Sequence, residues 1–262
     1  MSCAIPAPDP GALTEDRLMD GRLLLRQPAK GHRAGTDAVL VAASLNAVPG
    51  ERVADFGSGV GSIGLMLARR VPGIMLTLVE IDPVLARLAA DNAAANGIAA
   101  EVVTSDVAEH SLAAETFDHV AMNPPFHPPG SRVSPDARTA RARTAQEGLL
   151  ARWLEVARRA LRPGGVVTLI HRPDALDEIL AAMTGFGSGV LVPVHPRADA
   201  AAARLLVAAV KAGKGPLVIE PPLILNSSGG RFTPEAEAVH RGAALERAWP
   251  RPRPRRGLTP QR

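Results

Sequence analysis

Two short stretches carry residues whose types and spacing could do chemistry. The first runs from Asp55 to Gly64, DFGSGVGSIG, in which Gly59 to Gly64 fits G-x-G-x-x-G and Glu80 follows 16 residues later. Glycines after a strand allow a tight turn and let a ligand approach the backbone, and an acid ending the next strand can hydrogen-bond a ribose. The second is Asn123-Pro124-Pro125-Phe126, which follows the apolar run FDHVAM. Prolines remove backbone donors where a sheet needs them, so the strand must end there. They also fix the direction in which Asn123 and the Pro124 carbonyl point.

Each stretch suggests a specific job. A carboxylate at Asp55, just ahead of the loop, would sit badly beside a pyrophosphate at a helix N-terminus. It suits S-adenosylmethionine, which has no phosphate but carries a cationic sulfonium and an α-ammonium group. The plainer role for Asp55 is to stabilise the turn. At the second stretch, the Asn123 side-chain oxygen and the Pro124 carbonyl could accept the two N–H groups of a planar amine. That would turn the nitrogen lone pair towards a methyl donor without any general base. Phe126 would offer a flat face on which a flipped base stacks. As a plain structural motif, the same residues would simply end a strand and plug the core.

These residues need a scaffold, and the sequence indicates which. RVADF, IMLTLVE, AEVVTSD, FDHVAMN and VVTLIH read as strands alternating with helices. ARLLVAAVKAG and PLVIEPPLIL read as a closing pair of strands. This alternation predicts an α/β fold, Rossmann-like, with a mostly parallel seven-stranded sheet and helices on both faces. The helix from Pro83 has its punctuation intact, with Asp82 as N-cap and Gly97 past the end. Residues 1–34 are expected to be an N-terminal extension with a disordered-looking start, 35–248 the folded domain, and 249–262 a disordered Arg/Pro-rich tail. The helix after the proline motif is expected within 146–165, closed by Pro163-Gly164-Gly165.

Composition narrows the function further. The chain has 262 residues, 46% hydrophobic and 21% charged, as in an ordinary globular protein. One cysteine excludes an internal disulfide, and seven histidines show no metal-ligand spacing, so no metal site is expected. No apolar run reaches the roughly 20 residues of a membrane span, and no leader is apparent, so a cytoplasmic location is expected. The net charge of +4 comes from the tail, whose five arginines and lack of acids leave residues 1–248 at −1. Two local basic stretches remain, 17–33 and 131–145, the second with Arg138 and Arg141. They could hold RNA phosphates at the mouth of a site, or be no more than solvated loops. With no tyrosine in the chain, base recognition on an aromatic-studded sheet is not expected.

The sequence resembles class I S-adenosylmethionine-dependent methyltransferases. It matches them in order through DFGSGVG (55–61), Glu80, Asp106 and NPPF. The resemblance implies that Asp55, Gly57, Gly59 and Gly61 line the cofactor, Glu80 its ribose and Asp106 its adenine. Asp106 with Glu109 also makes a capping box. Beyond the class, the chain resembles the tRNA1(Val) (adenine-N6)-methyltransferase family over nearly its whole length apart from the termini. The matching segments include 13–43, NPPF, LRPGGVVTLIHRPDALDEIL and GGRFTPEAEAVHRG. That resemblance implies transfer of a methyl group to N6 of the adenine 3′ of a tRNA anticodon. Gly35, Thr36 and Asp37 would border the methionine end of the cofactor; Pro125 and His127, with Arg138 and Arg141 from the basic stretch, are the candidates to meet the substrate. Without a ligand, Gly35 would be an ordinary turn and Thr36 an N-cap.

One departure keeps the base open. The family usually has a second aromatic after NPPF, where this chain has His127. NPPFH also occurs in rRNA guanine-N2 methyltransferases. Those enzymes carry a duplicated domain ahead of the catalytic one, and glutamine-N5 methyltransferases of release factors carry a helical domain there. The stretch before the first strand looks too short for either. A nicotinamide-dependent oxidoreductase would share the glycine loop but leave NPPF without a role. An RNA-binding module without catalysis is the remaining alternative. Oligomeric state is not indicated.

Overall fold

The computed structural model describes residues 12–30, 33–109, 112–125 and 148–254. The chain begins with a hairpin, β1 (Leu13–Leu18) and β2 (Leu23–Pro28), which forms a two-stranded sheet of its own. The expected disordered start therefore gives way to structure from residue 13. Leu23 and Leu25 alternate inward on β2 and are completely buried. Its remaining backbone groups are met by α3, as described below.

The main fold follows as α1 (Thr36–Ser44), β3 (Arg52–Phe56), α2 (Ser62–Arg70), β4 (Met75–Glu80), α3 (Pro83–Ala95), β5 (Ala100–Thr104) and β6 (Phe117–Met122). Then come α4 (Leu149–Ala160), β7 (Leu161–His171), α5 (Leu176–Ala182), β8 (Phe186–Arg197) and β9 (Arg204–Lys211). The chain closes with β10 (Val218–Ile219), β11 (Leu223–Asn226) and α6 (Pro234–His240). The main sheet has the order β10-β8-β9-β7-β6-β3-β4-β5, with β11 also on β8. It is parallel except where β9 pairs antiparallel with β7 and β8. The expected class holds, and the strand count is nine rather than seven. The closing antiparallel pair is β8 with β9, while the segment read as PLVIEPPLIL supplies two short strands parallel to β8.

The core divides by sheet face. Val53, Val166 and Ile170 point towards α1, α2, α3 and the hairpin. Ala54, Phe56, Val167 and Leu169 point towards α4 and α5. Strands buried on both faces carry continuous apolar runs, which is why RVADF and VVTLI could be read directly. Asp82 caps α3 by accepting the Val84 N–H at 2.8 Å, with Pro83 in the first turn and Gly97 left-handed at φ 63°. Helix α4 ends at Ala160 and β7 starts at once. The residues Pro163-Gly164-Gly165 therefore lie inside the strand, where the register against β6 slips between Phe117 and His119.

The part of the tail up to Pro254, expected to be disordered, is instead packed. Trp249 is buried, its indole N–H donates to the Leu245 carbonyl at 3.0 Å, and the Arg253 N–H donates to Gly164 at 3.0 Å. Among the described residues, no helix is long and apolar enough to cross a membrane.

Candidate active site

Strand order reverses between β3 and β6, because β3 leads on to β4 on one side while β6 lies on the other. In such sheets a crevice opens at the carboxyl ends of the two strands. A cavity of about 320 Å³ lies there, within the usual size range of small-molecule sites. One wall is Gly57 to Val60 with Ser62, Ile63 and Leu85; the facing wall is Arg33 to Ala38, joined by Arg204; Asn123 lies between them.

The glycine loop owes its shape to backbone that only glycine adopts easily. Gly57, Gly59 and Gly61 have φ of 65°, 56° and 87°. A Cβ on Gly57 would lie 2.5 Å from the Trp153 ring, whereas one on Gly59 would meet nothing within 4 Å. Gly57 is thus needed for packing beneath the loop, and Gly59 leaves open space above it. Gly61 caps α2 and fits against Leu65 and Leu78. Ser58 is buried in this wall, and its hydroxyl has no partner among the described residues.

Glu80 spans the turn from below. One carboxylate oxygen accepts the Gly59 N–H at 2.7 Å, and the other accepts the Asp82 N–H at 2.9 Å. It fixes the loop with lone pairs to spare, as a ribose-binding carboxylate would need. Asp106 accepts the Ala108 N–H at 2.8 Å. The Asp106 side chain thus caps the turn at 107–109, while the return bond from Glu109 that would complete a capping box is not made among the described residues.

Asp55 lies elsewhere than expected. It is fully buried under the loop and does not line the cavity. One oxygen accepts the Gly64 N–H at 2.9 Å and the other has no partner among the described residues. Burial, with the nearby Glu80 charge, pushes its carboxyl up to about 7. This geometry matches the turn-stabilising role rather than direct contact with a cationic ligand.

On the facing wall, Gly35, Thr36 and Asp37 come together as the sequence suggested. Gly35, not Thr36, is the N-cap of α1. Thr36 Oγ1 lies 3.3 Å from His240 Nε2, and Asp37 accepts from Arg204 Nε at 2.8 Å. Gln27, almost fully buried on the hairpin, accepts the Ala34 N–H at 2.9 Å and donates to Asp16 at 2.7 Å. Arg33 also pairs with Asp16, at 2.7 Å.

Of the basic stretch at 17–33, Arg22, Arg26 and Arg33 engage groups of the protein itself, while Arg17 and Lys30 are exposed. Asn123 follows the registered pair Phe56 and Met122 by one residue, which brings it beside Gly57. It is half-buried, with Pro124 buried and Pro125 exposed. Phe126, His127, Arg138 and Arg141 lie outside the described residues. Sequence reading missed Ser58 and Arg204. Ser58 sits between glycines that draw attention away from it, and Arg204 has no local signal because it reaches the cavity from a strand 167 residues after Asp37.

Comparison with known proteins agrees with this geometry. Residues 33–184 match the methyltransferase small domain family. The chain belongs to that family. Within it, the chain is 32% identical over 206 residues to a tRNA1(Val) (adenine(37)-N6)-methyltransferase of Aeromonas hydrophila, covering 77% of this chain and 85% of that one. It is 35% identical over 141 residues to the ribosomal RNA small subunit methyltransferase C of Pseudomonas aeruginosa. That match covers 53% of this chain and 37% of the relative. Among solved structures, a predicted O-methyltransferase from Agrobacterium tumefaciens superposes with a TM-score of 0.68 at 32% identity, covering 81% of this chain and 99% of that one. The resemblance to the tRNA1(Val) enzymes read from the sequence therefore stands. As a member of this methyltransferase family the protein uses S-adenosylmethionine. The open space over Gly59, the unpartnered Ser58 hydroxyl and the Glu80 carboxylate fit that cofactor.

Proposed function

We propose that the protein is a cytoplasmic RNA methyltransferase that modifies N6 of an adenine in tRNA, next to the anticodon. The observation that carries this reading is the position of Asn123 beside Gly57, in one cavity with the glycine loop and the first turn of α1. Gly57 to Gly59, Glu80, Asp106 and the 35–37 turn would hold the cofactor. When bound, S-adenosylmethionine supplies an electrophilic methyl group on its sulfonium.

The chain's own task is to present the amine. Asn123 Oδ1 and the Pro124 carbonyl accept the two amine hydrogens, which favours a tetrahedral nitrogen and directs its lone pair into the cavity. Both acceptors are neutral and set in advance, so no proton is abstracted before transfer. Pro124 and Pro125 restrict the backbone on which they ride. Phe126 stacks on the extruded base, and Arg138 and Arg141 hold phosphate by charge. The A. hydrophila relative supports tRNA as the substrate, because its match covers 77% of this chain and 85% of that one.

The test is methyl transfer from labelled S-adenosylmethionine to unmodified tRNA, followed by nucleoside digestion and mass identification. N6-methyladenosine is expected. A second reading, guanine-N2 methylation of rRNA, is favoured by His127 after Phe126 and by the P. aeruginosa relative. N2-methylguanosine as the product would establish it instead.

A further inference from the structure

The segment GGRFTPEAEAVH and strand β9 both lie beyond the 33–184 span that matches the family, yet each sends one side chain to the cavity wall. Arg204, at the start of β9, donates through Nε to Asp37 at 2.8 Å and through Nη1 to its neighbour's carbonyl, Ala203, at 2.8 Å. His240, at the end of α6, approaches the Ala236 carbonyl with Nδ1 at 2.8 Å. A carbonyl can only accept, so Nδ1 carries the proton, and in the neutral ring Nε2 is an acceptor. Thr36 must then donate its only hydroxyl hydrogen to Nε2 across 3.3 Å.

The ring has little freedom to do otherwise. Phe232 stacks on it with centroids 4.2 Å apart. The start of α6 is tied to β11 through Thr233, which donates to Ile224 at 2.7 Å and to Leu225 at 2.8 Å.

This arrangement has a chemical consequence at the wall. With its hydrogen committed to His240, the Thr36 oxygen can only accept. Beside it, the Asp37 carboxylate is held in a fixed direction by a charge-assisted bond. Two adjacent acceptors, one anionic, are complementary to a donor cation such as an ammonium group. We infer that Arg204 and His240 are positioning residues that hold Asp37 and Thr36 ready for the α-ammonium of the cofactor's amino-acid end. The inference rests on the cofactor reading of the cavity and extends it to the C-terminal part of the chain. Ser58, whose hydroxyl is buried without a partner among the described residues, lines the same cavity on the opposite wall.

The test compares two ligands by calorimetry on the full chain: S-adenosylhomocysteine, and 5′-methylthioadenosine, which keeps the nucleoside but lacks the amino-acid end. Arg204→Met and His240→Ala should each weaken S-adenosylhomocysteine by about tenfold, the scale of one hydrogen bond to a charged group, with 5′-methylthioadenosine unchanged within about twofold. His240→Gln should recover most of the loss, because its amide oxygen can accept from Thr36. Equal weakening of both ligands would mean that the residues only support the fold. Unchanged S-adenosylhomocysteine binding would remove the positioning role altogether. If the wild-type chain bound neither ligand, the cofactor reading itself would fall, and the inference with it.

Discussion

The glycine-loop wall of the cleft comes mostly from one stretch, Gly57 to Ile63, shaped by its own backbone and braced by Glu80 from the adjacent strand. The wall facing it, Arg33 to Ala38, is held by Gln27 from the hairpin, Arg204 from β9 and His240 from α6. The first wall is preset by local conformation. The second is set by side chains that arrive only once the whole fold has closed. A local turn tolerates change elsewhere in the chain, whereas a wall held from distant segments reports on the integrity of the entire molecule.

The largest effect should arise between the walls. Asn123→Ala is expected to lower kcat by about a hundredfold to a thousandfold, the scale of losing one preorganised acceptor, while S-adenosylhomocysteine affinity stays near normal. Retained turnover with lost affinity would move Asn123 into one of the walls.

The next test concerns the underside of the loop. Unfolded, Asp55 titrates near 3.8; burial holds its proton up to about 7. Protonation therefore favours the folded chain. The contribution is full below 3.8 and is lost as pH rises towards 7. Asp55→Asn should flatten that part of the stability–pH profile measured by denaturant titration. A profile with the parent's slope would mean that another group sets it.

Within the loop itself, Gly57→Ala should cost about 2–3 kcal/mol, combining left-handed strain with a clash against Trp153. Gly59→Ala should cost only about 1–2 kcal/mol of strain, yet reduce cofactor binding by filling open space. Similar stability losses at both positions would show that Trp153 yields easily.

On the facing wall, Gln27→Ala should cost about 1–3 kcal/mol, because a nearly fully buried side chain and its bonds to Ala34 and Asp16 are lost. Its effect on cofactor affinity should exceed that of any equally destabilising change in the β8–β9 pair. The smallest effect is expected at Arg138 and Arg141. Reversing both charges should weaken tRNA binding a few-fold, and only at low salt.

What could be read beforehand follows the same division. RVADF with its glycines, IMLTLVE ending in Glu80, and the Asp82-Pro83…Gly97 punctuation are local signals, and each element forms where it was expected. The hairpin was missed because its two six-residue strands, LTEDRL and LLLRQP, joined through the left-handed Met19, Asp20 and Gly21, show no clean apolar–polar alternation to read. Strand β8 was missed because Gly187, Gly189, Pro193 and Pro196 look like breakers, although β9 on one side and β10 and β11 on the other supply its partners. Asp55 was placed in the site because its position along the chain is right. Whether its side chain points up to the ligand or down to Gly64 depends on the face of β3 it occupies. Nothing near Arg204 distinguishes it from a surface residue, and the family-like segment around His240 gives that residue no role of its own, since their partners are 167 and 204 positions away.

The helix α3 bears on how this protein keeps to itself. Asn96 accepts the Leu24 N–H at 2.9 Å and donates to the Leu24 carbonyl at 2.6 Å; four residues earlier, Asn92 does the same for Arg26, with both bonds at 2.9 Å. Residues two apart on a strand are thus met by residues four apart on a helix, and two side-chain amides stand in for a missing neighbouring strand. The open edge of β2 would otherwise be a template for pairing with another chain. Helix α3 closes that template on the β2 side of the hairpin.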